Sequence, residues 1–230
     1  MKHYAIIVAG GTGSRMNSDV PKQFLLLGGK PILMHTIERF FRADKTIEFI
    51  VVIPKNGIDP WKKNCDQHSF TLAHQVIEGG ETRFHSVKNG LTAVKEKSIV
   101  AIHDGARPFT SNALINSCFS EAEKYGNAVP VIQLNESIRK ISGEHSEIAD
   151  RKSFVIVQTP QCFESEILKK AYTVDHQDIF TDDASVVEFN GIEIYLVQGE
   201  PENIKITYPF DLITGESILK KINEKNNGIR

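Results

Sequence analysis

The sequence predicts an α/β fold with a doubly wound, mostly parallel sheet, and three observations support this prediction. Short apolar runs rich in β-branched residues alternate with segments of helical period. The run Phe-Ile-Val-Val-Ile at 49–53 is apolar at every position, which is typical of a central strand covered by helices on both faces. After Pro31, apolar side chains instead fall on one stripe, as in a helix that packs on a sheet. Together these patterns favour a layered α/β architecture.

The elements follow in order along the chain. Strands are predicted at 4–9, 47–53, 75–77 and 99–102, and helices at 32–41, 84–94 and 114–122. In the first helix Leu33, Ile37 and Phe40 are spaced i, i+4 and i+7, so they share one face. Pro31 suits the first helical position because it has no N–H to leave unpaired there. Strands that alternate with helices in this way are expected to run parallel.

The pattern changes between Gln133 and Val157. A polar stretch at 135–151, which contains Gly143, accompanies strand-like pieces at 137–141 and 154–157. We interpret this region, about 133–157, as a projecting β-hairpin arm inserted in a single domain that spans 1–230. Because exposed strand edges are usually covered, we expect the arm to pair with the same arm of a second copy in a homodimer.

Composition limits the possible partners. Of 230 residues, 27 are Lys or Arg and 29 are Asp or Glu, so the formal charge is −2 and there is no chain-wide positive field for a nucleic acid. No apolar run approaches the roughly 18 residues of a membrane span, which predicts no membrane partner. The three cysteines form no Cys-x-x-Cys pair, which argues against a zinc site and predicts a reducing, cytoplasmic location.

A glycine-rich turn, Ala-Gly-Gly-Thr-Gly-Ser-Arg-Met at 9–16, directly follows the first strand. A P-loop would end in Gly-Lys-Ser/Thr, and a dinucleotide fingerprint needs Gly where Met16 stands, so neither motif is complete. The incomplete fingerprint argues against a nicotinamide dehydrogenase. What remains is a loop whose N–H groups can cradle phosphate, with the cations Arg15 and Lys22 close by. The alternative is a tight turn with two solvated cations.

Asp104 follows the apolar run at 99–102 and is therefore predicted at the carboxyl edge of the sheet, where open α/β folds bind ligands. A carboxylate at that edge can hold Mg²⁺, which takes its other ligands from phosphate oxygens and water. The alternative is that Asp104 is the N-cap of a helix.

His85 and His103 receive no catalytic role, because an anionic phosphate nucleophile needs no general base.

Several stretches together resemble the sugar-phosphate nucleotidyltransferases and, within them, the 2-C-methyl-D-erythritol 4-phosphate cytidylyltransferase family. Besides the glycine loop, the matching stretches are Pro-Lys-Gln at 21–23 and the segments 79–87, 103–109, 158–161, 181–185 and 203–207. They extend over almost the whole chain. The resemblance implies a Rossmann-like nucleotidyltransferase fold.

The resemblance also implies an activity: a sugar-phosphate oxygen attacks the α-phosphorus of CTP, the co-substrate, and pyrophosphate leaves with Mg²⁺ as cofactor. Such chemistry needs positioning and charge neutralisation. The residues implied in catalysis are Arg15, Lys22 and Lys205, with Asp104 as the metal ligand. Those implied in nucleotide binding are Ala9, Gly10, Gly11, Gly13, Gly79, Gly80, Arg83, Ser86 and Ala106. Those implied in binding the second substrate are Arg107, Ser137, Arg151 and Thr159.

In the arm, the family pattern Asp-Thr-x-Lys aligns with Glu-Ser-Ile-Arg at 136–139, so the acid, the hydroxyl and the cation are all replaced. The resemblance implies that Ser137 and Arg151 reach the partner subunit's site; the alternative is two solvated residues on an exposed hairpin. Ribitol 5-phosphate cytidylyltransferase remains an alternative function, although 181–185 is more similar to the methylerythritol enzymes. A non-catalytic nucleotide-binding module would lack the phosphate cations, which are present.

Overall fold

A computed structural model describes residues 1–11, 16 and 21–227 of the chain. The strands are β1 Lys2–Val8, β2 Leu26–Leu27, β3 Lys30–Pro31, β4 Glu48–Ile53, β5 Gln75–Glu78, β6 Ser98–Asp104, β7 Asn127–Gln133, β8 Arg139–Ser142, β9 His145–Ile148, β10 Val155–Val157, β11 Gln161–Glu164 and β12 Leu196–Gln198. The helices are α1 Ile32–Ala43, α2 Ile58–Gln67, α3 Arg83–Leu91, α4 Asn112–Tyr125, α5 Ser165–Ala171, α6 Asp183–Phe189 and α7 Pro209–Asn227.

An eight-stranded sheet forms the centre of the fold, in the order β10-β7-β11-β6-β1-β4-β5, with β12 also paired to β7. β1 runs parallel to both β4 and β6, and β4 runs parallel to β5. β11 lies antiparallel to β6 and β7. The predicted α/β fold with a mostly parallel sheet is confirmed, and the antiparallel β11 is an addition that the strand–helix alternation did not reveal.

Both faces of the sheet are covered by helices, which explains the strands that are apolar at every position. Ala5 and Ile7 of β1 point into one core, whose helical side chains come from α1, α2 and α4. Tyr4 and Ile6 point into the opposite core, against side chains of α3 and α5. A side chain such as Ile6, which is fully buried, contributes about 2 kcal/mol by leaving water.

Side-chain caps determine where several helices begin. Ser111 accepts a hydrogen bond from Leu114 N at the start of α4, and Gly126, with φ of 85°, ends that helix in the left-handed region. Asp182 and Ser185 form a capping box at the start of α6. Short polar side chains therefore fix the residues at which these helices begin.

The arm is a two-stranded hairpin of β8 and β9, turned at Gly143 with φ of 59°. The prediction placed its strand pieces at 137–141 and 154–157; in the structure β10, at the second position, pairs with β7 of the main sheet instead. β9 was not predicted because its sequence, His-Ser-Glu-Ile, is mostly polar. The hairpin is exposed throughout, and the assignment of 1–230 to one domain with an inserted arm stays a prediction.

Over the residues described, no helix is long and apolar enough to cross a membrane.

Candidate active site

Two neighbouring cavities open at the carboxyl ends of β1 and β6. The first, of about 250 Å³, is bordered by the glycine loop and by α3. The second, of about 260 Å³, is bordered by the segments around 157–161 and 181–182. Arg83, Asp104 and Lys205 line both cavities. These three side chains therefore form the wall at which ligands in the two cavities would meet.

Asp104 is the centre of this wall and the last residue of β6, so it does not cap a helix. Its carboxylate lies 2.9 Å from Lys205 Nζ, 3.3 Å from Arg107 Nε and 3.7 Å from Arg83 Nε. Burial by itself would raise the pKa of Asp104, but the charges of Lys205, Arg83 and Arg107 outweigh it and hold that pKa well below its usual range. Asp104 is therefore ionised throughout the neutral range.

Lys205 reaches Asp104 because Asn203 anchors the loop that carries it. The fully buried Asn203 side chain donates to Thr159 O at 2.9 Å and accepts from Thr110 Oγ1 at 2.9 Å. The backbone carbonyl oxygen of Asn203 accepts a hydrogen bond from Arg107 Nη1 at 2.7 Å. Asn203 thus holds the lysine loop and the arginine together. In the stretch 203–207, the asparagine supports the loop while the lysine faces the cavities.

Ala106 ties the same two segments together through its backbone. Its carbonyl oxygen accepts from Ile206 N at 2.9 Å, and the buried Ala106 side chain borders the first cavity. Next to it, Gly105 N donates to Val8 O at 2.9 Å, which joins the end of β6 to the end of β1. A Cβ on Gly105 would lie 3.2 Å from Ala9 Cβ, so this close approach favours glycine.

The side chain of Thr159 bonds the backbone of Asp104. Its hydroxyl oxygen accepts from Asp104 N at 3.1 Å and lies 3.0 Å from His103 Nδ1. On the other side of the ring, His103 Nε2 lies 3.1 Å from Arg107 O. Since a carbonyl can only accept, Nε2 carries the hydrogen and the Thr159 hydroxyl donates to Nδ1. The resulting chain of bonds uses a neutral His103.

His103 is expected to make the fold sensitive to acid. Burial lowers its pKa to about 4, from an ordinary value of 6.5. Unfolding between these two pH values takes up a proton, so stability falls as the pH drops from 6.5 towards 4, by about 2 kcal/mol between pH 8 and pH 5 for this group. Urea unfolding of wild type and His103→Gln at pH 8, 6 and 5 checks this. Parallel pH curves for the two proteins would contradict it.

The glycine loop is described as far as Gly11. Buried Gln23 donates to Ala9 O at 2.7 Å and so fixes the start of the loop. A Cβ on Gly11 would lie 3.3 Å from Lys22 Cε, so the lysine side chain lies close over the loop backbone. Ala9, Gly10, Gly11 and Lys22 all border the first cavity. The predicted Gly13 and Arg15 lie outside the described residues.

Ser86, Gly10 and Gly80 line one end of the first cavity, called the slot below, and Gly79 adjoins Ser86. Ser86 Oγ accepts from Gly80 N at 3.1 Å, and a Cβ on Gly79 or Gly10 would lie 3.1 or 3.6 Å from the same oxygen. Thr82 caps the start of α3 by accepting from His85 N. The Ser86 hydroxyl borders the cavity and has a hydrogen that it can donate to a ligand.

Gly80→Ala is expected to distort this slot. The added Cβ would lie 2.4 Å from His85 Cβ and 3.0 Å from the His85 carbonyl carbon, so the backbone has to shift. We expect a loss of stability of about 1–3 kcal/mol, as for other overpacked sites. Thermal unfolding measures this loss. Gly10→Ala is the control, because its Cβ meets Ser86 only at an ordinary 3.6 Å and should leave stability unchanged. Equal stability of wild type and Gly80→Ala would contradict the expectation.

Comparison with known proteins identifies the family. The family described as IspD, 2-C-methyl-D-erythritol 4-phosphate cytidylyltransferase, matches residues 3–221. The chain belongs to this family. It is 49% identical over 219 residues to the 2-C-methyl-D-erythritol 4-phosphate cytidylyltransferase of Bacteroides thetaiotaomicron, with 95% of this chain and 100% of that protein covered.

Solved structures of the family share the fold. The 4-diphosphocytidyl-2C-methyl-D-erythritol synthase of Anaerococcus prevotii superposes with a TM-score of 0.80 at 27% identity, over 95% of this chain and 96% of that one. The 2-C-methyl-D-erythritol 4-phosphate cytidylyltransferase of Thermus thermophilus gives a TM-score of 0.76 at 30% identity, over 94% and 98%.

The arm residues implied by the family resemblance lie together. Ser137 and Arg151 border one cavity of about 370 Å³ at the base of the hairpin. Among the residues that the structure describes, that cavity shares none of its lining with the two cavities at Asp104. Arg139 bonds across the hairpin, with Nε 2.8 Å from Ser146 Oγ, so it braces β8 against β9.

Asp104 is the carboxylate that borders both cavities, whereas Glu81 borders only the first and Asp182 only the second, so Asp104 is the candidate ligand for the Mg²⁺ that the family resemblance implies. In the part of the chain that the structure describes, no three His, Cys, Asp or Glu side chains gather as a metal-binding group. Asp104 borders both cavities with a single carboxylate, and this fits Mg²⁺ that takes its remaining ligands from phosphate oxygens and water.

The sequence interpretation missed two supporting side chains, Asn203 and Asp183. Asn203 anchors the Lys205 loop, and buried Asp183 pairs with Arg83, whose Nη2 lies 2.6 Å from its carboxylate. Both lie in stretches that match the family, at 203–207 and 181–185, which was the available signal. Their roles depend on partners far along the chain, which the local pattern does not identify.

Proposed function

We propose that the chain transfers the cytidylyl group of CTP to 2-C-methyl-D-erythritol 4-phosphate, in the cytoplasm, and releases pyrophosphate. The product is 4-diphosphocytidyl-2-C-methyl-D-erythritol, an intermediate of non-mevalonate isoprenoid biosynthesis. Family membership supports the reaction. The observation that carries the proposal is the wall of Arg83, Asp104 and Lys205 between two cavities, because a group that passes from one bound substrate to another must cross such a boundary.

CTP is assigned to the first cavity. The cytosine ring is assigned to the slot at Gly80 and Ser86, where backbone and hydroxyl groups can bond the ring edge. The triphosphate is assigned to the glycine loop, which includes Gly13, and to Lys22 and Arg15. Backbone N–H groups and cations of this kind offset phosphate charge.

The polyol phosphate is assigned to the second cavity, where Arg107 and Thr159 lie. A phosphate oxygen of this substrate attacks the α-phosphorus, and the bond from that phosphorus to the bridging oxygen of pyrophosphate breaks. Lys205, which borders both cavities, stabilises the charge that develops on the transferring group. The attacking oxygen is already anionic, so the neutral, fully bonded His103 is not needed as a base.

Asp104 would hold Mg²⁺, which would supply charge neutralisation to the triphosphate. Asp104 also holds Lys205 and Arg107 at the wall.

A pyrophosphate-release assay tests the function. Purified protein with CTP and Mg²⁺ is given either 2-C-methyl-D-erythritol 4-phosphate or ribitol 5-phosphate, and kcat/KM is compared. We expect a clear preference for the methylerythritol substrate. A preference for ribitol 5-phosphate would establish the alternative function, and nucleotide binding with no turnover of either would indicate a non-catalytic module.

The site is proposed to be completed in a homodimer, with Ser137 and Arg151 of each arm serving the other subunit. The support is the separation of the arm cavity from the central cavities within one chain, together with the exposed apolar side chains of Ile141 and Ile148, 76% and 86% accessible. Apolar side chains this exposed on a hairpin favour burial against another surface.

Hybrid dimers are expected to reveal the exchange of arms. A subunit carrying both Lys22→Ala and Arg151→Ala is paired with a wild-type subunit. If arms are exchanged, one site lacks Lys22 and the other receives the altered arm, so activity falls below about a tenth of wild type. A self-contained site leaves the wild-type subunit active, at about half of wild-type activity.

The control hybrid carries Lys22→Ala alone on one subunit. It retains one complete site in either arrangement and should show about half of wild-type activity. Purified, differently tagged heterodimers are used for both measurements. Half activity in the double-variant hybrid would rule out exchange.

A further inference from the structure

Asp183 is a fully buried carboxylate that the reaction scheme leaves without a role. It is the first residue of α6, and its two oxygens have different partners. One accepts from Arg83 Nη2 at 2.6 Å, and the other from the Tyr172 hydroxyl at 2.7 Å. Its backbone N donates to Gln161 Oε1 at 3.0 Å. The carboxylate is therefore held in one orientation.

The partner, Arg83, occupies an unfavourable place for a cation. It is the first residue of α3, where the helix dipole presents its positive end. Burial also works against its charge, but the carboxylates of Asp183 and Asp104 outweigh burial and raise the pKa of Arg83. The helix start and burial both disfavour the positive charge of Arg83, and two carboxylates compensate for it. This compensation indicates that the guanidinium is needed at this position.

That position is the wall between the two cavities. Arg83 borders both of them, its side chain is 28% exposed, and its Nε lies 3.7 Å from Asp104. A guanidinium has five N–H donors, so Arg83 can bond Asp183 and still present donors to the cavities. Its flexible side chain could point elsewhere if Asp183 did not hold it.

We infer that Asp183 is a positioning residue, which holds the Arg83 guanidinium at the wall so that it contacts the phosphoryl group passing between the cavities. This inference rests on the proposed function. Tyr172 completes the arrangement: it is buried, bonds Asp183, and stacks on Phe84 with ring centroids 4.7 Å apart. Asp183 acts through Arg83 and itself touches no substrate.

A double-mutant cycle tests the inference. We expect Arg83→Ala to lower kcat about 50-fold and Asp183→Asn about 20-fold, whereas the double variant should lose no more than Arg83→Ala alone. If Asp183 acts only on stability, its substitution changes kcat of the folded enzyme little and alters the melting temperature equally with and without Arg83. Losses that multiply, to about 1000-fold, or an unchanged kcat in Asp183→Asn would overturn the inference.

Tyr172→Phe keeps the cycle usable if Asp183→Asn does not fold. It removes one bond to Asp183 and leaves the contact with Arg83, so it should lower kcat about threefold in wild type and not at all in Arg83→Ala. An equal threefold loss in both backgrounds would contradict the inference.

Affinity for CTP separates failure of the inference from failure of the proposed function. If the wild-type protein releases no pyrophosphate, the proposed function is refuted. The double-mutant cycle of Arg83 and Asp183 can then be measured through CTP affinity, by calorimetry, instead of kcat. Each single variant is expected to weaken CTP binding about fivefold and the double variant no further. A 25-fold loss in the double variant would show that the two residues act independently.

Discussion

Lys205→Ala is expected to lower kcat by about 10²-fold or more while the protein stays folded. A preorganised cation that meets charge developing in a transition state is worth a few kcal/mol, and Lys205 borders both cavities beside Asp104. Folding should persist because Arg107 and Arg83 still compensate Asp104. Steady-state pyrophosphate release with saturating CTP and polyol phosphate measures kcat.

Lys97→Ala is the matched control, because Lys97 is 57% exposed and its ion pairs with described residues are the long ones to Glu164 and Glu166. It should leave kcat unchanged. CTP affinity of Lys205→Ala, measured by calorimetry, should fall far less than kcat, because the lysine acts mainly on the transferring group. A kcat within threefold of wild type would remove Lys205 from the mechanism.

Asp104→Asn is expected to lower kcat about 10²-fold and to weaken the dependence on Mg²⁺. The amide keeps the shape of the side chain but loses the charge that a hard cation and three basic groups require. We also expect about 2 kcal/mol lower stability, less than for a fully buried ion pair because the Lys205 side chain is 38% exposed. An unchanged Mg²⁺ titration with normal kcat would contradict the assignment.

The pH dependence of this stability difference provides a second measurement. The pKa of folded Asp104 lies below its unfolded value of 3.8, so its contribution is fully present above that value and declines as the pH falls towards the folded pKa. The gap in unfolding free energy between wild type and Asp104→Asn should therefore be constant from pH 5 to 8 and shrink below pH 4. A gap that shrinks between pH 7 and 5 would point to another group.

Much of the site could be predicted because its anchors lie at strand ends. Asp104 ends an apolar strand, and Gly10 and Gly11 follow another, so periodicity alone places them at one edge of the sheet.

The hairpin was harder to assign from the sequence. β9 has no apolar alternation, and β10 pairs with β7 rather than with its neighbour in sequence. Pairing of short strands depends on the whole sheet, which local pattern does not report.

The sequence by itself determined the α/β class, the glycine turn after β1 and the acidic end of β6, because periodicity and turn chemistry are local properties of the chain. Only the tertiary structure decided which side chains meet there. Lys205, Arg107 and Arg83 converge on Asp104, Thr159 bonds its backbone from 55 residues away, and Asp183 pairs with Arg83 across 100 residues. Such contacts arise when the helices and loops pack on both faces of the sheet, and the cations that converge compensate the charge of Asp104 because that side chain is buried.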